Sequence, residues 1–175
     1  MTPEFSRLVD IRQIGPAPLT LAANEGERAA LAKRFALVSV ARLEATISLS
    51  TEGDVVTAQG TLDAAWVQPC AISGEDLPQA VREPVALRFV PESTMPSGEE
   101  EVELSESELD EIPYTGTHFD LGEALAQSLA LAIDPFAAGP EADRVRATPG
   151  LLGEGAAGPF AALAGLKVGK ADKPD

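Results

Sequence analysis

Apolar and polar residues trade places one by one through residues 38–50. Leu43, Ala45, Ile47 and Leu49 alternate with Arg42, Glu44, Thr46, Ser48 and Ser50. A period of two predicts a strand with one buried face and one wet face. Thr51-Glu52-Gly53-Asp54 reads as a hairpin turn, and the alternation resumes from Val55 to Val67. There Val56, Ala58, Gly60, Leu62, Ala64 and Trp66 share one side, and Thr57, Gln59, Thr61 and Asp63 share the other. Gly60 is the place for a bulge or bend. A third strand is predicted at 80–90, with Val81, Val85, Leu87 and Phe89 inward and Arg82 and Arg88 outward; Pro84 marks an edge or a bulge. Ile112-Pro113-Tyr114 returns to the sheet.

The period changes to that of a helix in two places. Over 120–133, Leu121, Ala124, Leu125, Leu129, Ala132 and Ile133 recur at steps of three and four. Asp120 stands at the cap with Glu123 three residues on, the spacing of a capping box, and Asp134-Pro135 ends the run. Asn24 and Glu27 have the same spacing ahead of a helix over 25–35, whose buried side holds Leu31 and Phe35. Before that helix, Phe5 to Ile11 reads as an opening strand with Phe5, Arg7, Val9 and Ile11 on one face; Gly15-Pro16-Ala17-Pro18 breaks it, and 19–23 is short and extended. Together these predict an α+β fold: a curved, mainly antiparallel sheet, open or partly closed as a barrel, covered by two helices.

Composition limits the rest. Of 175 residues, 45% are hydrophobic, enough for a core. We read residues 1–137 as one α+β domain and 138–175 as a Gly/Ala/Pro-rich tail with a short helix near 159–167. No apolar run approaches a membrane span, no signal peptide is evident, and a lone cysteine fits a reducing cytoplasm. The net charge of −15 is unevenly placed: residues 46–143 hold only Arg82 and Arg88 against twenty acids. From Glu92 to Glu111 there are nine acids and no base, which predicts a mobile, solvated acidic loop. Such a chain repels phosphate and attracts basic proteins.

Residues able to do chemistry are few. Cys70 has no base beside it in sequence, and Glu75 and Asp76 nearby would raise its thiol pKa, so it reads as structural. His118, the one histidine, reads as a surface or capping residue. The 99–111 acids lack the glycine and the alternation of a calcium loop. Gln127-Ser128-Leu129 lacks the aspartate of a carrier-protein serine. No residue set supports a hydrolase; the chain reads as non-enzymatic, without a cofactor. The candidate partner-binding residues are Glu99, Glu100, Glu101 and Glu103, with Arg82 and Arg88 on the sheet.

Four stretches resemble the YceD-like family of large ribosomal RNA subunit accumulation proteins. They are N-E-G-E-R-A-A-L-A-K-R-F-A-L, V-Q-P-C-A-I-S-G-E with the strand ending R-F-V-P-E, F-D-L-G-E-A-L-A-Q-S-L-A-L-A-I-D-P-F, and the tail P-F-A-A-L-A-G-L-K, which is similar to alphaproteobacterial members. The resemblance spans roughly residues 5–167. Ser73 stands where many members carry the second cysteine of a C-x-x-C knuckle, so no zinc site is expected here; Gln127 replaces a common glutamate, and Ala137-Ala138 a common Pro-Arg. The resemblance implies a cytoplasmic factor supporting 23S rRNA accumulation. The charge favours action through a basic ribosomal protein or assembly intermediate. The alternative is direct RNA binding by a local face of Arg7, Arg12, Arg82 and Arg88.

Overall fold

A computed structural model of the chain describes residues 3–92 and 111–147. The acidic loop apart from Glu92 and Glu111, the tail beyond Ala147 and the helix expected near 159–167 lie outside these residues. The chain divides into two compact units: residues 1–69 with 76–135, and residues 70–75 with 136–175.

In the larger unit the strands are β1 (Leu8–Asp10), β2 (Leu19–Ala22), β3 (Ser39–Glu52), β4 (Val55–Pro69), β5 (Asp76–Pro91), β6 (Glu111–Tyr114) and β7 (His118–Asp120). The helices are α1 (Glu25–Arg34) and α2 (Leu121–Ala132), with a 3-10 turn at Ile11–Gln13. Five strands form an open sheet in the order β2-β3-β4-β5-β6, and β1 pairs with β7 in a two-stranded ribbon. All pairings are antiparallel except β5 with β6. The fold is α+β, as the patterning predicts.

The alternation of β3 and β4 becomes a buried layer. Leu43, Ala45, Ile47, Val56, Ala58, Leu62, Ala64 and Trp66 join one core with Leu31 of α1 and with Leu121, Leu125 and Leu129 of α2. Gly53, at φ 61°, opens the two-residue turn between Glu52 and Val55, a backbone position that costs glycine little.

Several expectations are corrected. The β3–β4 bulge falls between Val40 and Arg42, and pairing runs unbroken through Gly60. Gly60 is needed instead for close approach: a Cβ there would collide with the Thr46 carbonyl oxygen. The third strand begins at Asp76, because residues 56–69 of β4 pair with residues 76–89 of β5 in one continuous antiparallel ladder, from Val56 opposite Phe89 to Pro69 opposite Asp76. Pro84, by contrast, sits on an edge as expected, since β6 covers β5 only from Arg88 to Pro91. The opening strand shrinks to three residues because Ser6 and Arg7 bind the start of α2. Ser6 Oγ donates to Asp120 Oδ2 at 2.6 Å, the Arg7 amide to Asp120 Oδ1 at 2.8 Å, and the Leu121 amide to the Arg7 carbonyl at 3.0 Å.

The two helix caps also differ. Asn24 and Glu27 form the full reciprocal box at 3.0 and 2.8 Å. Asp120 accepts from the Glu123 amide at 3.1 Å, but the Glu123 carboxylate turns to Arg34 of α1 at 2.8 and 2.9 Å. Arg34 also holds Glu4 at 2.9 Å, so one guanidinium joins the N-terminal segment, α1 and α2. At the far end of β4, buried Gln68 accepts from Trp66 Nε1 and donates to the Asp134 carbonyl at 2.6 Å, which leaves its amide satisfied where α2 exits.

In the smaller unit, the described residues are the turn Cys70–Glu75 and the segment from Phe136 through a short helix, α3 (Ala142–Arg146). Glycine, alanine and proline in this stretch gave no helical pattern to read. The Ala71 amide donates to the Ala137 carbonyl at 3.0 Å, and the Glu141 amide to Glu75 Oε1 at 2.9 Å.

Candidate partner-binding surface

Arg82 and Arg88 stand where the alternation puts them, exposed on the outer face of β5. Between them that face carries mainly hydroxyl, amide and small apolar side chains. Thr46, Thr61 and Pro84 lie in one cross-strand row, and Ser48, Gln59 and Ala86 in the next. The arginines do not add up to a basic field. Arg88 pairs with Glu111 of β6 at 2.8 Å. Asp63 faces Arg82 across the ladder and is itself bound by Arg42 at 2.6 Å.

The two other arginines of the RNA-binding alternative are also engaged. Arg7 forms a fork with Glu27 at 2.7 and 2.9 Å and lies over the Phe5 ring. The Glu27 hydrogen bond holds its guanidinium pKa above the ordinary value and draws that of Glu27 down. Arg12 holds Asp10 at 2.6 and 3.0 Å, which keeps the Asp10 carboxyl well below the usual range. Bidentate pairs of this kind leave a guanidinium little to offer a phosphate. Glu99, Glu100, Glu101 and Glu103 lie outside the described residues.

His118 is the first residue of β7, with its side chain half exposed. Its Nδ1 is 3.0 Å from Thr117 Oγ1 and its Nε2 3.6 Å from Asp10 Oδ2.

Cys70 is 4% exposed, and its Sγ accepts from the amides of Ile72, Ser73 and Gly139, each at 3.4 Å. Bonding from the Ser73 side chain and amide, then from the Gly139 amide, pulls the thiol pKa down to about 6. The expected upward shift from Glu75 and Asp76 is therefore overturned. The reason is directional: amide donors point at the sulfur, while the Glu75 carboxylate turns to Ser73 Oγ and the Glu141 amide. Among the described residues no group of three or more His, Cys, Asp or Glu side chains is placed to hold a metal.

A feature that sequence reading missed lies along α2. Two open grooves, of about 420 and 360 Å³, run between this helix and β5, β6 and β7, and share Ile112, Ala124 and Gln127. Glu92, Asp120 and Glu123 line the first, and Glu83 and Glu111 line the second. Leu131 stands at the second groove 89% exposed, whereas Leu121, Leu125 and Leu129 are fully buried. The available signal was a leucine lying off the buried stripe of its own helix.

A family model described as "Large ribosomal RNA subunit accumulation protein YceD" matches residues 58–167. The chain belongs to the YceD family. No curated protein and no solved structure matches the chain. The YceD match begins inside β4 and takes in the Cys70 turn, β5, β6, β7, α2 and α3. It leaves α1 and β3 outside, although the early Glu-Arg helix also resembles family members. Membership carries the family's role in accumulation of the large ribosomal RNA. Both grooves except for Leu8 fall within the matched residues. Among the described residues no helix is long and apolar enough to cross a membrane.

Proposed function

We propose that this YceD-family chain is a non-enzymatic cytoplasmic factor that supports 23S rRNA accumulation by binding a basic ribosomal protein or an assembly intermediate. The observation carrying this reading is the charge and its placement. The chain has a net charge of −15, and Arg7, Arg12 and Arg88 are each already bound to a carboxylate. A surface of that sign raises the local concentration of basic partners and repels bare RNA. Glu99, Glu100, Glu101 and Glu103 are proposed as part of the attracting surface. Direct RNA binding through Arg82 and Arg88 has less support, since Glu111 and Asp63 stand beside them.

The test is affinity capture from cells with protein and RNA both identified. Wild type is expected to retain a basic large-subunit protein after nuclease treatment. Changing Glu99, Glu100, Glu101 and Glu103 to glutamine should weaken that capture. Capture of RNA alone, lost on replacing Arg82 and Arg88, would decide for the RNA-binding alternative.

A further inference from the structure

We infer that the groove along α2 is a docking site for a basic polypeptide segment that carries apolar side chains. The inference rests on the reading of this chain as a binder of basic proteins, and it says where and how the partner is held.

Three observations converge on the groove. First, its floor is apolar: Leu87, Ile112 and Ala124 line it, and Leu131 projects beside them with 89% of its surface in water. A single exposed leucine is ordinary, but one that extends an apolar cleft is a seat for another apolar side chain. Second, the rim is acidic. Glu83 and Glu92 have no ion pair among the described residues, while Glu111 and Glu123 are matched by Arg88 and Arg34. His118 is the one lining side chain able to carry positive charge. Third, the shared residues Ile112, Ala124 and Gln127 join the two grooves into one track, which suits a segment of chain better than a small ligand.

Charge complementarity selects the occupant. Phosphates of RNA and anionic lipid headgroups are repelled by the same carboxylates that attract lysine and arginine. A second copy of this chain would bring another −15 to a groove that offers it no arginine or lysine. A basic segment with leucine-like anchors satisfies both features: its cations meet Glu83 and Glu92 at the rim, and its apolar side chains cover Leu131. The carboxylates set the encounter rate and the salt dependence, and the apolar contact sets the residence time.

Two labelled peptides of equal positive charge test this on the full chain, one with leucines between its lysines and one with serines in their place. Binding is followed by fluorescence anisotropy. The leucine peptide is expected to bind about tenfold more tightly, the scale of one well-buried leucine. Leu131→Ser should erase that difference while circular dichroism stays unchanged, since the side chain is exposed. Glu83→Gln with Glu92→Gln should weaken both peptides severalfold at low salt and less at high salt.

Equal binding of both peptides, indifferent to Leu131→Ser but weakened by the glutamines at 99–103, would remove the groove and leave the basic-partner reading standing. No binding of either peptide at low salt would remove both. Polyuridylate that competes with the leucine peptide and is itself weakened by Leu131→Ser would give the groove to RNA. Self-association abolished by that same substitution would give it to a second copy. Either result overturns the inference.

Discussion

Cys70 shows how little of a side chain's chemistry is written in its sequence neighbours. Two acids follow it, yet its thiol pKa is drawn down by the Ser73 side chain first and then by the three amides that converge on the sulfur. The folded pKa of about 6 lies below the ordinary 9, so the fold favours the thiolate. That contribution to stability is complete above about 9 and is lost as pH falls through about 6. The ultraviolet absorbance of the thiolate, with Cys70→Ser as blank, should therefore rise with a midpoint near 6. A midpoint near 9 would mean that the three amide bonds are not present in solution. Ala36 is a second case. Its φ of 54° places an alanine in the left-handed position after α1, where the Leu37 amide returns to the Ala32 carbonyl at 2.8 Å. That closure of a helix normally uses glycine. Ala36→Gly should stabilise the protein by about 1 kcal/mol, the cost of a left-handed Cβ; an unchanged or lower melting temperature counts against it.

At the level of elements, α2 depends on what crosses its first turn. Alanine in place of a helical glycine ordinarily gains about 1 kcal/mol. Gly122→Ala should instead destabilise, because its Cβ would lie 2.6 Å from the Phe5 carbonyl oxygen and 2.7 Å from the Arg7 nitrogen. Both contacts are backbone, so neither can rotate away. Leu129→Ala, at a fully buried position of the same helix, should cost about 2–5 kcal/mol through lost burial and the cavity left behind. Chemical denaturation of both variants checks the pair. A stabilised Gly122→Ala would detach the N-terminal segment from α2, and an unaffected Leu129→Ala would take α2 out of the core.

For the whole molecule the governing quantity is charge. Attraction between −15 and a basic partner is long-range and is screened within about 10 Å at moderate salt. Partner capture should fall steeply as salt rises and fall further when Glu99, Glu100, Glu101 and Glu103 become glutamine. The same four changes should leave the melting temperature nearly where it was, surface substitutions moving stability by under about 0.5 kcal/mol. Under direct RNA binding the sign reverses: the glutamines would relieve repulsion of phosphate and strengthen RNA capture, and replacing Arg82 and Arg88 would abolish it. Capture of a basic protein that ignores both salt and the glutamines would rule out attraction by the acidic surface.

Local pattern by itself determined the long hairpin of β3 and β4, the two capped helices, the wet face bearing Arg82 and Arg88, and the acidic excess. Each depends on neighbours within a few residues, where the periods of two and 3.6 apply directly. The family was legible too, through short motifs spread along the chain. Contacts between residues distant in sequence decided the rest. Glu123 could pair with its own cap or with Arg34, and only the packing of α1 beside α2 settles that for Arg34. Gly60 reads as a bulge until the Thr46 carbonyl lies against it. Leu131 gains meaning only where β5 and β6 come alongside α2, because a groove is a property of surfaces that the chain brings together from far apart.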